Sequence, residues 1–265
     1  MRQAKDRPSP ARGITALFDT LLVFILVGFT AQVVDGALGM AFGVISTTIL
    51  VSLGVPPVLA SASVHAVETA TTGVSGLSHL YHRNIDWRLF RRLAVPGVAG
   101  GILGAYVLSS VDASVAKPFI LTYLAVIGLV LTYRALRWPP QIREPKYVAP
   151  LGLAGGFLDA AGGGGWGPVV TSNLLLQGAS PRKTLGTVNS AEFFLAGAVS
   201  ATFLLSIGPE ILTQATLGLL IGGVAAAPLG AYLAKRIPTK PLLLMVGVIL
   251  TLTSLYGIAR ALEWF

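Results

Sequence analysis

The sequence predicts an all-α, polytopic membrane protein made of two inverted repeats, each of about five helical segments, with glycine-rich broken helices. Three observations predict it. Apolar residues make up 54 % of the 265 residues and charged residues only 11 %, where a soluble domain carries roughly 25 % charge. The chain divides into apolar stretches long enough to matter in a bilayer. The second set of stretches repeats the first at a fixed shift.

The composition excludes several classes of function. Mean hydropathy is +0.75, too high for a surface that must face water on all sides. Glycine (31) and proline (16) are plentiful, as in membrane helices. Cysteine is absent, which removes disulfides, thiolate metal sites and a cysteine nucleophile. The net charge of +8 reads as arginine and lysine in short cytoplasmic loops beside lipid, with no nucleic acid as partner. No G-x-x-x-x-G-K-[ST] loop is present, so ATP does not drive this chain directly.

Residues 1–13 are polar and hold two prolines. They read as an N-terminal tail, expected to stay in the mature protein because no A-x-A-like cleavage site follows. Residues 14–137 form the first transmembrane repeat, with apolar stretches at 14–34, 37–54, 58–80, 92–110 and 117–136. A basic cytoplasmic linker covers 138–147. Residues 148–265 form the second repeat, with stretches at 148–161, 166–177, 183–207, 211–233 and 241–262. A span needs about 20 apolar residues, so 148–161 and 166–177 read as two short helices meeting at Gly162–Gly165.

The duplication is in register. A shift of 124 residues carries Asp35 to Asp159, Gly39 to Gly163, Gly43 to Gly167, Thr47 to Thr171, Glu68 to Glu192 and Gly73 to Gly197 without a gap. Chance rarely places two intramembrane Asp and two intramembrane Glu in one register. Loop charge then gives orientation. Arg83, Arg88, Arg91 and Arg92 fill one loop of the first copy, and the matching loop near 207–213 has only Glu210. The next pair is reversed, with Lys235, Arg236 and Lys240 in the second copy against Asp112 and Lys117 in the first. A positive-inside bias that alternates between equivalent loops means opposite insertion. The same logic places the linker and Arg182–Lys183 inside and both termini outside.

Ionisable residues at membrane depth are expensive and are functional candidates by default. The set here is Asp35, His65, Glu68, Asp159 and Glu192. Asp35 and Asp159 each precede a glycine run and read as caps of a structural helix break. His65 and Glu68 share one helix face with Ser61 and Thr72. With Glu192 they read as proton-coupling groups, and in the second copy Asn189 stands where His65 does. Structural hydrogen-bond links between helices are the plainer alternative for these side chains. A substrate is expected at Gly39, Gly43, Thr47, Gly163, Gly164, Gly165, Trp166, Gly167, Thr171, Asn189 and Ser190, where freed amides and hydroxyls can coordinate an anion. His79 and His82 read as interfacial. There is no H-E-x-x-H and no second intramembrane His beside His65-x-x-Glu68, so no metal or other cofactor is expected, and no hydrolase set is present.

Asp159-Ala-Ala-Gly-Gly-Gly-Gly-Trp-Gly-Pro168, Leu174-Leu-Leu-Gln-Gly178 and Gly186-Thr-Val-Asn-Ser-Ala-Glu192 resemble the second-half signature of the sulfite exporter TauE/SafE family, also called the toluene-sulfonate uptake permease group. Asp35-Gly-Ala-Leu-Gly-Met-Ala-Phe-Gly43 with Gly54-Val-Pro-Pro57 resembles the first-half copy, although no proline follows its glycines. The resemblance implies a multi-pass transporter of the cell inner membrane for sulfite, sulfonates or related anions, coupled to protons and surrounded by lipid, with a homodimer as a possible assembly. Rival readings keep the fold and make it a cation/proton transporter or a passive anion channel.

Overall fold

Proline and glycine set the ends of many of the helices. The computed structural model describes residues 10–40, 42–52, 55–108, 117–137, 143–208 and 213–261. The start of the tail, the first half of the linker, and Gly54, Ser110, Trp138 and Trp264 lie outside the described residues. All regular structure among the described residues is helical: α1 Pro10–Leu38, α2 Phe42–Ser52, α3 Pro57–Tyr81, α4 Trp87–Leu108 and α5 Lys117–Arg137, then α6 Val148–Gly162, α7 Ser172–Leu176, α8 Pro181–Ile207, α9 Gln214–Arg236 and α10 Thr239–Ala261. A π-helical turn, Gly167–Thr171, leads into α7. Pro57 and Pro181 open α3 and α8 at first-turn positions that need no amide donor. Thr213 and Thr216 close a capping box at the start of α9. Helix α1 begins at Pro10, inside the segment read as tail.

Small residues let the helices touch through their backbones. A methyl group at Gly28 would meet the Leu219 carbonyl oxygen at 2.4 Å, and one at Gly152 the Leu93 carbonyl oxygen at 2.7 Å. These contacts pack α1 on α9 and α4 on α6, while α3 packs on α8 and α5 on α10. Exchanging each helix for its counterpart in the other half leaves this set of pairs unchanged. Helices α3 and α8 run antiparallel: His65 stacks near Phe203, Thr69 near Ser200, Gly73 near Phe193, and Ser75 near Asn189. Helices α5 and α10 cross likewise, with Gly128 against Thr251 and Gly247 against Thr132.

The outside of the bundle is apolar. Leu22 and Leu26 on α1, Val95, Leu103 and Tyr106 on α4, and Leu205 on α8 are all exposed, a surface suited to hydrocarbon rather than water. Among the described residues, two helices are long and apolar enough to cross a membrane by themselves, with mean hydropathy 2.1 over Leu21–Leu38 and 1.6 over Pro181–Ile207. Val148–Gly162 and Gly167–Leu176 are apolar but shorter, so the second half opens on two short helices.

The basic segments collect at one end. The Arg92 guanidinium donates to the Lys146 carbonyl at 3.3 Å, and Lys183 Nζ donates to the Arg83 and Ile85 carbonyls at 2.9 and 3.1 Å. The Arg143 amide donates to the Gly178 carbonyl at 2.7 Å. The C-terminal end of α9 joins them through Tyr232, whose ring lies 6.5 Å from that of His82 and beneath Arg236.

Candidate functional site

Two helix breaks meet in the middle of this bundle. Gly39 (φ 67°) ends α1 and Gly163 (φ 71°) ends α6, both in the left-handed region that favours glycine. Each is a helix C-terminus from which the chain turns at once into a new helical segment. The aspartate one turn earlier caps the new segment. Asp35 Oδ1 accepts the Phe42 amide at 3.4 Å, and Asp159 Oδ1 accepts the Gly165 and Trp166 amides at 2.7 and 2.9 Å.

The breaks are stitched to each other. The Thr47 hydroxyl donates to the Gly163 carbonyl, and the Thr171 hydroxyl donates to the Gly39 carbonyl at 2.7 Å. Gly43 lies against Gly164, and Gly167 against Met40; a methyl group at either glycine would meet backbone at 2.7 Å. Trp166 presses on Gly97, and its counterpart Phe42 faces Gly223. Each contact has a mate in the other half, so the close approach is a feature of both copies.

Between the breaks lies a small buried cavity, with room for about one water molecule. It is lined by Asp35, Gly43, Val44, Glu68, Asp159, Gly164, Trp166, Gly167, Pro168 and Glu192. Four carboxyl side chains from four helices therefore face one space, and no lysine or arginine lines it. Glu68 Oε2 is buried with no hydrogen-bond partner. His65 stands just behind the wall. Its Nε2 is 3.0 Å from Asp159 Oδ2, and its Nδ1 is 2.7 Å from the Ser61 carbonyl oxygen. Both ring nitrogens are engaged, so an imidazolium donating from both, or a neutral ring accepting from a protonated Asp159, satisfies the arrangement. His65, Glu68 and Asp159 each offer one ligand atom within 4.8 Å of the others, one fewer than a closed zinc shell requires.

The cavity gathers only part of the sequence-derived set. Gly43, Gly164, Trp166 and Gly167 line it together with Asp35, Asp159, Glu68 and Glu192. Gly39, Gly163, Gly165, Thr47 and Thr171 build the breaks themselves. The amides of Gly165 and Trp166 are already engaged by Asp159. Asn189 and Ser190 are directed elsewhere: Asn189 Oδ1 accepts from Ser75 at 3.0 Å, and Ser190 donates to the Gly186 carbonyl at 2.7 Å. His79, read as interfacial, is fully buried. The turn at 82–86 folds back under it, and Asn84 Nδ2 lies 3.1 Å from His79 Nδ1. Val44 and Pro168 were missed as lining residues, being apolar neighbours of the glycines with no chemistry of their own. The π-helical turn was missed too, although Pro168 in a glycine run is its sequence signal.

Comparison with known proteins places the chain in a family. A family profile described as "Sulfite exporter TauE/SafE" matches residues 24–257. The "Probable membrane transporter protein YtnM" of Bacillus subtilis (strain 168) is 41 % identical over 255 residues, covering 92 % of this chain and 84 % of that protein. No solved structure matches the chain.

Proposed function

Because the chain belongs to the sulfite exporter TauE/SafE family and is a membrane transporter of that type, we propose that it moves a small sulfur oxyanion, sulfite or a sulfonate, across the cell inner membrane in exchange with or together with protons. The observation that carries this reading is a small cavity in which both Asp-capped breaks, Glu68 and Glu192 converge. An anion entering four carboxyl groups must be accompanied by protons, since carboxylates and an oxyanion repel strongly at low dielectric. A protonated carboxyl, by contrast, donates a hydrogen bond to an oxyanion. The His65 imidazolium supplies the one nearby positive charge and stands in for the missing lysine or arginine.

The two halves act as inverted repeats in this proposal. Support comes from the antiparallel course of α3 against its counterpart α8, from the exchange-symmetric helix pairs, and from the collection of basic loops at one end. Alternating access then amounts to rocking one half against the other around the stitched breaks. The test is sulfite flux from loaded proteoliposomes under an imposed pH gradient. Flux that follows the gradient and stops with a protonophore is expected; flux indifferent to the gradient leaves a passive channel, and no sulfite flux removes the substrate assignment.

A second reading, a cation/proton transporter, is favoured by one observation: Asp35 and Asp159 occupy amides of the breaks, so the cavity presents mainly carboxyl oxygen. Competition separates the two. Sulfite protecting the protein against heat supports the first reading, and protection by a metal ion alone supports the second.

A further inference from the structure

We propose that α3 lines a hydrated, one-sided proton path from Glu68 to the basic end of the molecule, while the corresponding line on α8 is sealed dry. This rests on the proton-coupled reading of the cavity and gives it a direction. Ser61, His65, Glu68, Thr72, Ser75 and His79 alternate in steps of four and three along α3, so they share one stripe. Their counterparts on α8 are Leu185, Asn189, Glu192, Ala196, Val199 and Phe203. Beyond the glutamates one line is hydroxyl, hydroxyl, imidazole. The other is methyl, isopropyl, phenyl, and all six of these side chains are buried.

Among the described residues, eight buried side-chain atoms lack a hydrogen-bond partner; three belong to Gln32 and Ser46 on α1 and α2, and the other five follow the polar line. They include Glu68 Oε2 at the cavity, Asn189 Nδ2 across from Ser75, and then His79 Nε2, Asn84 Oδ1 and Thr184 Oγ1 toward the basic loops. The positions equivalent to His79, Asn84 and Thr184 are Phe203, Gly208 and Ala60, which have no side-chain polar atom to satisfy. Buried polar groups in native proteins are met by protein or by ordered water, so a file of such groups marks a file of water. The links between them are in place. Thr72 donates to the Glu68 carbonyl, Ser75 donates to Asn189 at 3.0 Å, and Asn84 donates to His79 Nδ1 at 3.1 Å. That last bond puts the His79 proton on Nε2, which faces the Gly36 backbone outside good hydrogen-bond geometry. The file ends where Asn84 packs on Gly186 and Lys183 reaches the Arg83 and Ile85 carbonyls. The charged or titratable groups that face it are Asp35, Asp159, Glu192 and His65 at the inner end, and His82, Arg83 and Lys183 at the outer end. A proton can pass along it by exchange between water, hydroxyls and His79 Nε2, while the Asn84 amide holds Nδ1 and fixes the ring, with no net change in any bond.

The absence of cysteine from the chain makes the test direct. Ser75→Cys and Val199→Cys are each placed in membranes and treated from either side with a small, impermeant methanethiosulfonate ammonium reagent, and modification is read as intact mass. Ser75→Cys should be modified from the side bearing Arg88 and Arg91 and not from the other; Val199→Cys should stay unmodified from both. Protection of Ser75→Cys overturns the path, and equal modification of Val199→Cys overturns its one-sidedness. His79→Phe, which installs the residue of the sealed line, should slow modification at Ser75→Cys by tenfold or more; if that variant does not fold, Asn84→Leu serves, and an unchanged rate overturns the route. Labelling needs no substrate, so a failed sulfite assay and a failed path are separate results.

Discussion

The first break, at Asp35–Phe42, and the second, at Asp159–Gly167, share a left-handed glycine at the helix end and differ in chemistry. In the second, Asp159 accepts two amides at 2.9 Å or less and also meets His65 at 3.0 Å. In the first, Asp35 accepts the Phe42 amide at 3.4 Å, the counterpart of Gly165 lying outside the described residues, and the residue equivalent to His65 is Asn189, which turns away to Ser75. The two breaks thus match in their helix ends and stitching contacts and differ in the side chains around the aspartate. On the proton-coupled reading proposed above, that difference is where one-sided proton uptake would be built.

The largest effect tests the shared part. A methyl group at Gly164 (φ 135°) would meet Gly43 backbone at 2.4 Å, whereas one at Gly162 would meet nothing within 4 Å. Gly164→Ala should abolish transport, and Gly39→Val or Gly163→Val, in the left-handed region, should do the same while leaving the protein inserted. Gly162→Ala should be silent in the same flux assay. Activity in the Gly164 variant would show that the two breaks do not need to touch.

The next effect sharpens the difference between the breaks. Asp159→Asn removes the carboxyl that buried His65 meets at 3.0 Å, and breaking a buried pair of this kind typically destabilises by about 3–5 kcal/mol. Asp35→Asn breaks no histidine contact and should destabilise less, by about 0.5–1.5 kcal/mol. Thermal unfolding in detergent should rank them in that order. Equal losses would mean that the His65 pair adds nothing to the second break.

Much of this was legible in the sequence because it rests on local signals. The helix boundaries follow Pro57, Pro181 and the glycine runs, and the register of Asp35 with Asp159 and Glu68 with Glu192 marks the residues that share the cavity. What sequence could not give was the direction of long-range contacts. His65 was grouped with Glu68 because they lie on one helix face, yet its partner is Asp159, 94 positions away. Asn189 and Ser190 carry suitable chemistry for a ligand, but α8 turns them toward Ser75 and Gly186. His79 looked interfacial by its place near a loop, and only the folding back of Asn84 buries it.

The glutamates provide a smaller and more specific contrast. Glu68 sits beside His65 on α3, and Glu192 beside Asn189 on α8. Glu68→Gln should flatten the pH dependence of flux and spare some anion binding. Glu192→Gln should weaken binding more than it alters the pH profile. Unchanged pH profiles in both variants would make these acids structural links and end the coupling proposal.

The smallest expected effect concerns the two aromatic walls. Trp166 and Phe42 occupy equivalent positions, but only the indole reaches a backbone carbonyl, with Nε1 donating to Val188 at 3.2 Å. The indole also presses harder on its glycine: a methyl group at Gly97 would meet Trp166 at 2.6 Å, against 3.4 Å for Gly223 and Phe42. Trp166→Phe therefore makes the second wall resemble the first. It removes one hydrogen bond, worth about 0.5–1.5 kcal/mol, and leaves a gap beside Gly97 into which α4 and α6 can relax. The unfolding temperature should fall by a few degrees, and flux should persist, because Phe42 already serves the equivalent place on such a ring. If flux disappears while the unfolding temperature holds, the indole has a role that its counterpart lacks. Trp166 would then be a direct contact for the transported ion, and the asymmetry between the halves would extend from the proton to the substrate.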